Sequence, residues 1–429
     1  MSRTLLGALD DWRGRYGDMI HLRIWPEHQI VVTDPTLVRE LLVTHHEALH
    51  RWERGMQVMS QVHGNSVLIA EGERWRLKRH ALQPSFTPKS VQTLVPVVTQ
   101  AAAKAFDHWS AGGADWPIEH GFTALGMDVI VRLMFSSEIA TDARLAQQAV
   151  HDISIAANGE MYWPASWPDW MPWKRTKRKA IRILKDLIGR HIAARLALAP
   201  EAWPQDLLSR LLDLHRADPA NWPVKAVHDE CMTAFLAGHE TSAGTLTWWA
   251  WCMASNPSAQ QAAQAEVAAV LQGRAPTAQD LPELVCLAAT LQETLRLYPA
   301  APVLLSRRSV RPITLGGWQL PARTMFMVPV QLMHHDARWF PEPLVFRPER
   351  FGADAPAIAR GAFMPFGAGP RVCLGQHLAL AEMTIIAAMF LQRFSVSVPE
   401  GAAAPAPVLN ITLRPQKALR LKLERRAAR

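Results

Sequence analysis

Cysteine is scarce in this chain: 4 among 429 residues, Cys231, Cys252, Cys286 and Cys373, with no paired spacing. That argues against a disulfide-stapled secreted scaffold and fits a reducing compartment, where lone cysteines stay as thiols. No apolar run is long enough to cross a bilayer, and the N-terminal stretch lacks the apolar core of a secretory signal. The expectation is a soluble cytoplasmic protein, although the chain opens almost at an amphipathic helix, Leu5 to Tyr16, which leaves room for an anchor ahead of it. No linker divides the sequence, because the Pro/Ala patch from Gly401 to Val408 is short and follows every strong motif. With 49% hydrophobic residues there is material for a large core, and a single domain over residues 1–429 is expected. The net charge of +8 comes from dispersed basic residues without a nucleic-acid motif, which argues against nucleic-acid binding. Two local basic clusters remain. Lys174, Arg175, Lys177, Arg178, Lys179 and Arg182 read as a solvated helix face, while Arg74, Arg76, Lys78, Arg79 and His80 have a further reading below.

Against these absences stands one dense stretch, Phe366, Gly367, Ala368, Gly369, Pro370, Arg371, Val372, Cys373, Leu374 and Gly375. Leu374, Leu378, Leu380, Met383, Ile386 and Phe390 recur at helical spacing, which places Cys373 at a helix N-terminus. There, free N–H groups and the helix dipole favour a thiolate, the form that ligates a soft metal. The glycines let backbone turn sharply and approach a flat, bulky group, and Arg371 has the reach to pair with a carboxylate on it. The plain alternative is a Gly-rich turn around an ordinary buried thiol.

This stretch resembles the haem-binding loop of the cytochrome P450 family, Phe-Gly-x-Gly-x-Arg-x-Cys-x-Gly, at every fixed position. The resemblance implies the P450 fold: mostly α, with a small β region at about residues 20–35 and 313–330, in one haem-binding domain. It implies haem b (iron protoporphyrin IX) as cofactor. Cys373 is then its iron ligand, with Phe366, Arg371 and Gly375 in the binding loop.

Four further motifs follow the family's order. Trp75 and Arg79 are four apart on a predicted helix, so their donors share a face; the resemblance makes them propionate ligands. Ala237, Gly238, His239, Glu240 and Thr241 break the apolar face of a long helix running from about Pro223 to Asn256. They match the family's Ala-Gly-x-Glu-Thr groove, which makes Thr241 and Glu240 the proton-delivering pair. A Thr bonded back to its own helix beside a solvated Glu is the bland alternative. Glu293, Arg296 and Arg350 match a buried structural triad. Arg308 is the expected further propionate ligand, with Arg307 beside it as a rival. The implied substrate pocket includes Phe235, Ala237, Ala301, Val303 and Leu304.

Three segments are read with less help from motifs. Four tryptophans and three prolines lie between Met161 and Trp173, too irregular for a helix. A lid, ordinary core packing, and a membrane or partner contact all remain open for it. His334 and His335 sit in a family loop that carries no metal. Ile313 to Leu315 and Met325 to Val328 are expected to be strands joined by a Gly/Pro turn, and Leu409 to Leu413 a late strand.

The implied activity is insertion of one oxygen atom from O2 into an apolar molecule, terpenoid, fatty acyl or aromatic. The sequence carries no flavin or iron–sulfur motif, so electrons come from a ferredoxin- or flavodoxin-type donor with its NAD(P)H reductase. The positive helix holding Arg79 would suit an acidic donor. Two alternatives differ in class: a peroxide-dependent or isomerising haem-thiolate enzyme, and a non-catalytic haem carrier or sensor.

Overall fold

The computed structural model describes every residue except 1, 25–26, 110–112, 138–142, 162–167, 169 and 427–429. Helices dominate, and one of them, Val224–Ser255, is longer than the rest. Pro223 precedes it and Asn256–Pro257 ends it, since Pro suits a first turn but cannot continue a helix.

This long helix is shared by the two largest cores. Ala243, Leu246, Trp249, Ala250 and Met253 pack with helices Val95–His108, Val285–Leu297 and Gln376–Arg393. Val227, Cys231, Met232, Phe235 and Leu236 pack instead with helices Ala143–Met161, Arg175–Leu196 and Leu207–Ala217. Helix Ile118–Phe135 contributes to both cores. The stretch 237–242 of the long helix belongs to neither, and it borders a cavity. A polar break between two apolar segments therefore marks the place where the helix faces open space.

The β region begins with a hairpin, Met19–Ile24 against Glu27–Val32, with Met19 opposite Val32. Asp34 then caps the next helix, Pro35–Arg39, accepting from the Thr36 and Leu37 N–H groups at 2.8 and 3.0 Å. Met325–Met327 lies parallel to the second hairpin strand, followed by Arg307–Ser309 and Leu49–Arg51. Here the expected strand partnership is corrected. Ile313–Leu315 pairs with Trp318–Leu320 through Gly316 and Gly317, both at positive φ, and Met325–Met327 joins the first sheet. Leu409 to Leu413 is likewise the turn of a hairpin, Pro407–Leu409 against Leu413–Pro415.

Of the Trp-rich segment, residues 162–167 and 169 lie outside the described residues. Trp170 and Trp173, which follow, are exposed. The basic cluster beside them divides in two: Arg175, Arg178, Lys179 and Arg182 are solvated, but Lys174 and Lys177 are buried against Glu160. Among the described residues, no helix is long and apolar enough to cross a membrane.

Candidate active site

A cavity of about 750 Å³ lies between the long helix and the loop 366–375. Phe366, Arg371, Cys373 and Gly375 line it from the loop, Trp75 and Arg79 from helix Gly72–Leu82, and Ala237, Gly238 and Thr241 from the long helix. Val67, Leu68, Ala301 and Leu304 add apolar wall.

The loop is tightly determined. Gly367 and Gly369 sit at positive φ, and a Cβ on Gly369 would fall 2.1 Å from the Leu42 carbonyl oxygen. The Cys373 N–H donates to the Phe366 carbonyl at 2.9 Å, closing the turn. The helix that follows spans Gln376–Arg393 with Gly375 as N-cap, so Cys373 precedes its first turn. Sequence alone predicts a thiol biased toward thiolate. In the structure, burial pushes the Cys373 thiol up, against the Gly375 N–H and Arg79, which pull it down. Desolvation outweighs both of these. The sulfur is nevertheless accessible from the cavity.

At one end of the cavity Arg51, Arg79 and Arg371 line the wall, and Arg307 meets Arg51 and Arg371 in an adjoining cleft. Arg371 stacks 4.0 Å over Trp75, pairs with Glu71 and donates to the Ala70 carbonyl, while Arg79 donates to the Val372 carbonyl at 2.8 Å. Burial, then the neighbouring arginines, push Arg51 and Arg371 down to about 9 and Arg307 to about 10, with Glu71 opposing. Arginine stays charged regardless, so the directions describe a crowded positive site with one carboxylate. The Arg51 Nε is buried without a partner.

Arg308 is a correction. Its guanidinium is bound to Glu27 and Glu53 at 2.7–2.8 Å, and like Arg307 it does not line the cavity itself. Neighbours on a strand point to opposite faces, so Arg307 is the residue turned toward Arg371.

These features fit haem. Its two propionates would balance an excess of cations that the protein leaves uncompensated. Gly375 borders open space in the wall, since a Cβ there would meet nothing within 4 Å.

On the long helix the predicted pair diverges. Thr241 lines the cavity and donates to the Ala237 carbonyl at 2.8 Å. Glu240 faces away, held by Arg414 at 2.6 Å, Thr412 at 3.1 Å and Ser154. Consecutive helical residues point about 100° apart, which separates them. Gly238 has a packing reason, since a Cβ there would lie 2.6 Å from Ile130. Of the expected pocket residues, Ala237, Ala301 and Leu304 line the cavity. Phe235 does not; it is fully buried in a core on another face of the helix. Val303 also falls outside the lining.

Glu293, Arg296 and Arg350 are brought together away from the cavity. Glu293 binds Arg296 at 2.7 and 2.8 Å and Arg350 at 3.3 Å. His334 and His335 are tied to main-chain groups of the same region. Burial pushes them down to about 3 and about 4. Lys78, expected among outward charges, is instead buried in an ion pair with Glu230 at 2.8 Å.

Sequence reasoning missed Arg51, Glu71, Arg414 and Glu382. The last left a signal, a lone carboxylate amid the apolar positions of helix Gln376–Arg393. Glu382 lines the cavity and accepts from Ser242 Oγ at 3.1 Å; burial pushes its carboxyl up to about 8.

The family model described as Cytochrome P450 matches residues 3–423. Cytochrome P450 734A4 of Oryza sativa subsp. japonica is 31% identical, over 94% of this chain and 81% of its own length. Cytokinin hydroxylase of Arabidopsis thaliana is 29% identical, over 98% of this chain and 83% of its own. Cyclooctat-9-en-7-ol 5-monooxygenase of Streptomyces melanosporofaciens is 30% identical, over 88% and 82%.

Proposed function

The chain belongs to the cytochrome P450 family of haem-thiolate monooxygenases, which carry haem b, and on that premise we propose what its own residues do and what it acts on. It is a monooxygenase that uses O2 and a redox partner on a small molecule. The substrate is apolar: terpenoid, fatty acyl or aromatic. The observation that carries this reading is the cavity wall of Val67, Leu68, Ala237, Ala301 and Leu304 above Cys373. The Streptomyces relative is named as a monooxygenase of an alcohol, which supports it.

When bound, haem supplies the iron at which O2 is activated. Cys373 holds that iron, and Trp75, Arg79, Arg307 and Arg371 hold the two carboxylates, with Arg51 alongside. Thr241 keeps a hydroxyl at the cavity and passes protons there. Glu240 relays protons from the surface side of the helix, where Arg414 holds it. Glu293, Arg296 and Arg350 keep the Cys373 side of the fold in shape. The electron donor is a ferredoxin- or flavodoxin-type protein with its NAD(P)H reductase; the exposed Arg74 gives an acidic carrier a positive contact, while Arg76 is already paired with Glu47 and Glu73.

The visible spectrum of the purified protein, titrated with terpenoids, fatty acids and aromatics, tests this reading. A haem band that shifts with one class is expected; no haem band in reconstituted protein would overturn the central claim. Cys373→Ala should lose the thiolate-type ferrous carbonyl spectrum, and a wild-type-like spectrum in that variant refutes the ligand assignment. Thr241→Ala should raise peroxide release per nicotinamide consumed, and unchanged coupling removes Thr241 from proton handling.

A further inference from the structure

Thr233, Ala237, Thr241 and Thr245 stand four residues apart on the long helix, and all line the cavity. A helical threonine ordinarily turns its hydroxyl back onto the carbonyl four residues earlier. Thr241, Thr245 and Thr247 do so at 2.8–2.9 Å. Thr233 instead meets Nδ1 of His63 at 3.2 Å.

His63 ends helix Glu53–His63, and the chain after it is fastened to the same long helix. The Asn65 N–H donates to Asp229 at 2.9 Å, and the Val67 N–H to Glu230 at 3.0 Å. Glu230 is itself locked by Lys78. The imidazole is therefore held against Thr233. Burial pushes the His63 ring down to about 4, so the pair is neutral near pH 7. If the ring donates to Thr233, the hydroxyl keeps its proton for an oxygen in the cavity. If the ring accepts, the Thr233 lone pairs remain for a hydroxyl there.

Thr233 and Thr241 are eight residues apart, about 12 Å along a helix. We propose that Thr233, oriented by His63, anchors a neutral hydroxyl or carbonyl at one end of an elongated apolar substrate and so selects the carbon presented near Thr241 and Cys373. This rests on the reading of the cavity as an oxygenation site, and narrows the substrate to an apolar alcohol or ketone.

The test uses haem-loaded protein and two probes, farnesol and its matched deoxyhydrocarbon, with binding measured by calorimetry. One hydrogen bond predicts roughly fivefold tighter binding of the alcohol to wild type. Thr233→Val should abolish that preference while leaving hydrocarbon affinity unchanged, and Thr233→Ser should retain it. His63→Ala frees Thr233 to bond back to its helix and should also weaken the preference. An undiminished preference in Thr233→Val overturns the anchor; if both probes still shift the haem band, the apolar-substrate reading survives it. Binding of neither probe overturns both readings.

Discussion

Two arginine-rich regions of this molecule use the same chemical groups and end in opposite balances. Around Glu293 the set is closed: the carboxylate meets Arg296, Arg350 and the Arg347 N–H, and Arg296 spends its remaining donors on the His334 and Pro343 carbonyls. Around Glu71 the set is open. Arg51, Arg307 and Arg371 share one carboxylate, Arg79 beside them has only a main-chain carbonyl, and one buried Nε has no partner. Desolvated cations repel one another unless anions intervene, so an open set makes sense where the anion arrives from outside. The closed set serves the fold, and on the function proposed above the open one serves the cofactor's carboxylates.

Breaking the closed set should have the larger effect. Glu293→Ala strands Arg296, which is completely buried, and loss of one partner of a buried pair costs about 3–5 kcal/mol. Little folded protein is expected, measured as soluble yield and as the denaturation midpoint. A midpoint close to wild type would mean that the surrounding carbonyls alone satisfy Arg296.

Glu382 sharpens the comparison as a buried carboxylate hydrogen-bonded to Ser242. Its pKa rises from an ordinary 4.5 to about 8 because burial opposes the charge. The native state therefore holds a proton that the unfolded chain releases above pH 4.5. This contribution is fully present below that pH and is lost as pH rises through about 8, at up to about 1.4 kcal/mol per pH unit. Glu382→Gln stays neutral and should flatten the slope in unfolding titrations between roughly pH 5 and 8. Equal slopes in the two proteins would show that Glu382 ionises normally.

Legibility from sequence followed how local each feature is. The Cys373 loop, the Trp75/Arg79 spacing and the long helix are written in short stretches, and all three border the cavity. The direction of a side chain was harder to read. Glu240 and Thr241 were adjacent in the motif yet diverge, because helix rotation carries one to Arg414 and the other to the cavity. Phe235 suited a pocket by type, but the core claims its face of the helix. Lys78, Lys174 and Lys177 looked solvated because their carboxylate partners lie far away in sequence or across an irregular segment. Glu382 was visible as a lone charge, although nothing local disclosed Ser242 opposite it.

Arg307 and Arg308 carry the comparison down to two adjacent residues. On strand Arg307–Ser309 one guanidinium faces the open set and the other the carboxylates of Glu27 and Glu53. Arg307→Leu removes a cation from a crowded site, so apoprotein stability should hold or rise slightly while haem is lost roughly tenfold faster, about 1.4 kcal/mol of retention. Arg308→Leu should reverse the pattern. It gives up ion pairs whose carboxylates are 32% and 61% exposed, a loss of about 1 kcal/mol in stability, with haem retention unchanged. Haem transfer to a high-affinity acceptor protein and urea denaturation of the apoprotein separate the two quantities. If Arg308→Leu sheds haem while Arg307→Leu keeps it, the open set has been drawn around the wrong residue, and strand alternation is not what divides fold from cofactor here.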